Sequence, residues 1–197
     1  MSISTAPTTT IARGVNFVLA REYVVNTFGE ALWARALARV SPEVRRVWEQ
    51  PLLTVSAYDF AAFKAVAAAV AAEAKSDGDR AVAAMYEYIA ERSLNTLYKV
   101  FFRLANPAFV IANFPKLWSR FFTAGEVRVP VAEREHAELR FSVPEIFLDW
   151  LGPACLGYST KAVELAGGRG VAVRELERKA RGTGTWEVAY DVTWREG

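Results

Sequence analysis

The chain has 197 residues, with apolar side chains at 52% and aromatic ones at 13%, enough for one sizeable core. Lys and Arg number 24 against 22 Asp and Glu, a net charge of +2, which argues against nucleic acid as a partner because duplex binding rewards a strongly basic face. One cysteine, Cys155, excludes an internal disulfide, and one histidine, His136, leaves too few ligands for a zinc site.

Residues 1–10 are rich in Ser and Thr, lack the pattern of a signal peptide and read as a flexible tail to a single α+β domain over 11–197. Within it, apolar residues recur at helical spacing up to about Phe122, which defines a helical lobe over 11–124. Val15, Val18, Leu19 and Val25 form the first one-sided stripe, Gly29 ends or joints it, and Leu32, Trp33, Ala36 and Val40 continue it. Ser41-Pro42-Glu43 opens a short helix toward Trp48, with Ser at the N-cap and Pro in the first turn. Gln50-Pro51 breaks that helix, and an Ala-rich helix spans Tyr58 to Lys75. After the turn Ser76-Asp77-Gly78-Asp79, two adjacent stripes from Val82 to Leu104 predict a long helix buried over much of its circumference. Asn106-Pro107 starts the next helix, and Pro115 kinks or restarts it.

From Glu126 the period changes to two, defining a lobe over 125–197. Val127, Val129 and Val131 predict one strand, and Ala137, Leu139 and Phe141 a second. A helix is predicted from Pro144 to Ala166, with a kink at Gly152-Pro153 and a cap at Gly167-Gly168. Val171 and Val173 mark a third strand. In the last strand Trp186, Val188, Tyr190, Val192 and Trp194 share a face opposite Glu187, Asp191 and Thr193. The fold class is therefore α+β: a helical N-terminal lobe packed on a four-stranded antiparallel sheet of ββαββ order, with the last helix covering the sheet's apolar face. No stretch offers the roughly 20 apolar residues of a membrane span, so the expected location is cytoplasmic.

No catalytic constellation emerges. His136 shares a strand face with Glu138 and Arg140 and reads as a surface residue. Cys155 lies on an apolar helical stripe between Leu151 and Tyr158, with no cation at helical spacing to activate it, and reads as core. Gly167-Gly168-Arg169-Gly170 follows a helix and precedes a strand, the reverse of a phosphate cradle. The charged run from Glu175 to Arg181 reads as a solvated hairpin end. The richest signal is aromatic: the segment from Leu97 to Phe122 carries Phe101, Phe114, Trp118 and Phe121 among eight rings. Such rings serve a core, a subunit interface or an apolar ligand pocket.

The opening GVNFVLAREYVVNTFGEALWARAL resembles haem-NO-binding domains. The segment LANPAFVIANFPKLWSRFF and the ending from CLGYSTKAVELAGGRG to WEVAYDVTW resemble vinyl-reductase-type ligand-binding domains and the small subunits of the TRAPP tethering complex. The chain also looks like an uncharacterised family abundant in myxobacteria. The resemblance runs from about Ala12 to Trp194 and rests on glycine and aromatic spacing.

Two departures bear on cofactors. No histidine precedes His136, whereas haem-NO-binding domains hold iron through a helical histidine, and Tyr158-Ser159-Thr160 lacks the Tyr-x-Ser-x-Arg spacing of their propionate clamp. No cofactor is therefore expected, and histidine-ligated haem is disfavoured. The match of Cys155 with Gly157-Tyr158 to the vinyl-reductase-type pattern implies that Cys155 contacts a bound ligand, and the aromatic segment adds Phe101, Phe114, Trp118 and Phe121, with Tyr158, as candidate contacts. The resemblance implies a non-catalytic regulatory or adaptor domain that binds an apolar small molecule between the lobes and forms a homodimer or meets a protein partner through helical faces. The alternatives are an enzyme or accessory factor acting on a tetrapyrrole-like substrate, and a structural assembly subunit.

Overall fold

A computed structural model describes residues 10–98, 106–182 and 184–196. Several of its helices start at a side chain that accepts from an unpaired amide of the first turn. α1 (Gly14–Phe28) and α2 (Glu30–Arg39) meet at Gly29, whose φ of 84° supplies the joint. α3 (Pro42–Glu49) begins at Ser41, whose hydroxyl accepts from the Val44 amide at 3.4 Å. α4 (Phe60–Glu73) begins at Asp59, whose carboxylate accepts from the Ala61 amide at 2.9 Å. α5 (Gly78–Tyr98) is the long buried helix, with Met85, Tyr86, Ile89, Ala90 and Leu94 all inside. α6 (Pro107–Ala112) and α7 (Phe114–Phe121) join at Asn113, so Pro115 sits in a first turn and restarts the helix.

Two short strands open the fold where the sequence predicts a tail boundary and the start of a helix. β1 (Thr10–Arg13) pairs antiparallel with β2 (Ala57–Asp59), which leads into α4. Four and three residues are too short for alternation to register, and the Ala-rich helix accordingly begins at Phe60 rather than Tyr58.

The main sheet holds β3 (Glu126–Ala132), β4 (His136–Pro144), β5 (Gly168–Ala180) and β6 (Thr185–Glu196) in the antiparallel order β3-β4-β6-β5. Leu139, Phe141 and Val143 of β4 and Val188, Tyr190, Val192 and Trp194 of β6 are buried on one face. Glu138, Arg140 and Glu177 lie across strands on the other, where Arg140 pairs with both carboxylates. The helix expected from Pro144 is instead a 3-10 turn at Glu145–Phe147 followed by α8 (Leu151–Leu165). Gly152 and Pro153 fall in the first turn of α8, where proline costs no hydrogen bond, and so they mark its start rather than a kink.

One continuous core joins helices and sheet. Two contacts fix their relation. At Gly157, a Cβ would lie 2.0 Å from the carbonyl oxygen of Ala83, so α8 and α5 touch backbone to backbone. Asn16, fully buried in α1, donates to the Phe121 carbonyl at 2.7 Å and accepts from the Tyr86 hydroxyl at 2.9 Å, tying α1, α5 and α7 together. No helix among the described residues is long and apolar enough to cross a membrane.

Gly157→Ala is expected to cost about 3 kcal/mol, because the methyl meets rigid backbone rather than a yielding side chain. Urea unfolding reads the loss; an unchanged midpoint would show that α8 has room to retreat from α5.

Candidate functional site

Where the helical part meets the sheet, aromatic rings interlock. Tyr86 and Trp150 meet edge to face with centroids 4.6 Å apart, and Trp118 lies 4.5 Å from Phe122 and 5.5 Å from Phe141. The rings leave a cavity of about 60 Å³ between α5, α7, α8 and the inner sheet face.

The structure brings five of the six sequence-named candidates to this wall. Phe114, Trp118 and Phe121 come from successive turns of α7, and Cys155 and Tyr158 from one face of α8. Phe101 lies outside the described residues. The wall also takes Tyr86, Trp150 and Phe141, which the sequence does not single out as site residues. Their signal was present, since Trp150 and Cys155 share an apolar stripe, but a stripe does not distinguish packed atoms from atoms facing a void.

The polar atoms of the wall are mostly engaged elsewhere. Tyr86 donates to Asn16, and the Tyr158 hydroxyl sits 3.3 Å from Ser93 Oγ. Trp118 Nε1 donates to the carbonyls of Ala124 and Gly125 at 3.0 and 3.2 Å. The indole N–H of Trp150 is the exception: it is buried and meets no acceptor among the described residues. Burial pushes the Cys155 thiol up to about 12, with Ser159 Oγ at 3.8 Å giving a small opposing pull. A thiol held neutral in this way is not a nucleophile.

His136 stands apart from this cavity. It sits on β4 with Nε2 2.7 Å from Asp191 Oδ1, and Arg174 reaches the other oxygen of that carboxylate at 3.3 Å.

A sheet of this order beneath a helical lobe is the architecture of the haem-NO-binding, or H-NOX, domains, and solved H-NOX structures superpose on nearly the whole chain. The Fe(II) unliganded H-NOX protein from K. algicida aligns with a TM-score of 0.69 at 14% identity, covering 94% of this chain and 97% of its own. An S. oneidensis H-NOX variant in the Fe(II) state gives 0.70 at 12%, covering 93% and 96%. A third chain, described by protein-induced porphyrin distortion that modulates haem redox potential, gives 0.70 at 10%, covering 92% and 99%. At such identity the likeness establishes the fold. No protein-family model and no curated protein sequence matches the chain.

These neighbours correct one expectation. The sequence reading predicted no cofactor, whereas the proteins that share this fold are described by their haem and their Fe(II) state. The residues here do not reproduce histidine ligation: His136 is the only imidazole, and it is bonded to Asp191 on the outer face of the sheet. The cavity of about 60 Å³ holds roughly two water volumes, far less than a porphyrin, so a macrocycle would have to part the rings.

Two outcomes follow from this geometry. Asn16→Leu leaves the Tyr86 hydroxyl and the Phe121 carbonyl unpaired and is expected to cost about 2–3 kcal/mol, read by thermal unfolding. Because the folded-state pKa of Cys155 is raised, its contribution to stability is complete below the ordinary thiol value of about 8.5 and is lost as pH climbs toward about 12. Urea unfolding at pH 8 and pH 11 is expected to show a steeper alkaline loss for the native protein than for Cys155→Ala. Equal slopes would place the thiol in contact with water.

Proposed function

We propose that this chain is a non-catalytic regulatory domain that binds an apolar small molecule in the cavity between its helical part and its sheet. Phe114, Trp118, Phe121, Cys155 and Tyr158 form the contact surface. The observation that carries this reading is the chemistry of the cavity wall: aromatic and aliphatic throughout, with its polar atoms turned to protein partners except for one indole N–H. An apolar void at the junction of two structural layers is a place where ligand binding and protein shape affect each other. No residue of the wall supplies an activated nucleophile, and the one thiol is held neutral. The size of the void favours a ligand of a few heavy atoms, or the tip of a longer chain.

The haem of the structural neighbours supports a second reading, in which the rings part around a tetrapyrrole. It would be held without a histidine from the helical part.

The two readings separate in one set of measurements. Native mass spectrometry of the purified protein, with xenon and benzene titrations followed by the methyl resonances of Val127 and Leu151, tests the first. A ligand at about a hundred times its Kd stabilises by about 2.7 kcal/mol, a shift that thermal unfolding resolves. Ala154→Leu, which fills the cavity, is expected to abolish the effect. Absence of any co-purified mass and of any methyl shift would eliminate the apolar-ligand reading. Haemin added in parallel, giving a Soret band that survives gel filtration, would establish the tetrapyrrole reading instead.

A further inference from the structure

One donor in the wall of the aromatic cavity has no acceptor. The hydroxyls of Tyr86 and Tyr158, the thiol of Cys155 and the indole N–H of Trp118 all have protein partners. Trp150 Nε1 does not: it is buried, and no described residue accepts from it. Trp150 occupies the N-cap position of α8, is 3% exposed and lines the cavity. Phe60, Tyr86 and Phe122 stand nearly perpendicular to its indole, with centroids 5.0, 4.6 and 5.6 Å away. The best that these neighbours offer the N–H is a ring face, which is a weak acceptor. Leaving a buried donor unpaired is costly, and native cores hold few such groups.

The rest of the wall limits what can supply the missing acceptor. Among the described residues that form it there is no Asp, Glu, Lys, Arg, His, Asn or Gln. An anion would be buried against one neutral N–H with no counter-charge, and a cation would meet no carboxylate, so the cost of burying unpaired charge excludes both. Water fits the size but not the chemistry, because a buried water is held by about three hydrogen bonds and this wall leaves one side-chain donor free. A donor on the ligand would in turn need an acceptor, and the wall has no carboxylate or amide side chain to give one.

We infer that the ligand of this cavity is a small neutral molecule of the ketone class, with one acceptor oxygen and no donor, whose oxygen accepts from Trp150 Nε1 while its carbon body fills the aromatic space. The inference rests on the apolar-ligand reading above and narrows it. A hydrocarbon fills the void and leaves the indole unpaired, whereas a ketone does both jobs. A site with a buried donor that needs a partner discriminates against the isostere that lacks the acceptor.

The test compares acetone with isobutene, in which a methylene group replaces the oxygen and the shape is kept. NMR of the full chain follows occupancy through the methyl resonances of Val127 and Leu151, and the hydrogen bond through the indole N–H resonance of Trp150. Both probes are expected to move the methyls, and acetone alone to move the Trp150 N–H downfield. The indole N–H of Trp194, also buried without an acceptor but not part of this wall, is expected to stay in place. In Trp150→Phe the preference for acetone over isobutene is expected to fall about fivefold. That variant trims a core ring, so the downfield shift in the native protein is the readout that does not depend on the variant's folding. Methyl shifts with both probes, a Trp150 N–H that does not move downfield and an unchanged preference in the variant would overturn this inference and leave the apolar-ligand reading standing. Binding of neither probe would remove both. A water cross peak at the Trp150 N–H that persists with acetone bound would make water its partner and overturn this inference alone.

Discussion

The contact of α8 with α5 at Gly157 and Ala83 is the constraint from which the arrangement of this molecule follows. Backbone meets backbone there, with no side chain between, so the two helices cannot slide or part without losing the most intimate junction in the core. α8 also lies against the sheet, where Val163 and the ring of Trp194 both close on the backbone at Gly168. A helix clamped on both sides is a fixed wall. Cys155 and Tyr158 then face inward toward α7, and Gly152, Pro153 and Leu156 face outward toward the hairpin.

Much of this was legible in the residues because single, strong rules applied. The alternation of Val188, Tyr190, Val192 and Trp194 set the inner face of the last strand, and these four residues are buried. Ser41-Pro42 and Asn106-Pro107 started helices because each provides a side-chain acceptor followed by a residue that needs no donor. The strands β1 and β2 were not legible, since strands of three or four residues carry at most two periods of alternation and are held by partners distant in sequence. Pro144 suggested a helix start, but the chain makes one 3-10 turn there and enters α8 only at Leu151. The Gly152-Pro153 pair fits a first turn as well as it fits a kink, and the sequence alone does not choose between them.

For the site, the sequence identified the residue types but not the space between them. Phe114, Trp118 and Phe121 were singled out for aromatic density and Cys155 for its Gly-Tyr neighbourhood, and they converge on one wall. A void is a property of many side chains at once, and no single residue encodes it. The same holds for Asn16, an asparagine in an otherwise ordinary helical stripe. Its role as the buried tie between Tyr86 and the end of α7 depends on two elements 70 and 105 residues away. The cofactor expectation failed for a related reason: it was drawn from the absence of a helical histidine and of the propionate-clamp spacing, whereas the fold itself is shared with chains described by haem at identities of 10–14%.

The aromatic cavity and an open groove of about 800 Å³ between α5, the start of α8 and the β5–β6 hairpin share α8 but differ in chemistry, and this division follows from the helix period. Cys155 and Tyr158, with Leu151 and Ala154, fall on the stripe turned to the core, where unpaired charge is costly and the wall is consequently apolar. Gly152, Pro153 and Leu156 fall nearly half a turn away, beside a hairpin whose charged side chains keep their water. A molecule lodged on the inner side can reach the outer side only by displacing this shared wall, and the wall can yield only where it is not pinned. Gly157 pins its middle against α5, and Gly168 holds the strand that follows its C-terminal end. The first turn, from Leu151 to Ala154, lies beyond both pins, has no side-chain cap and touches both spaces, so movement there costs least.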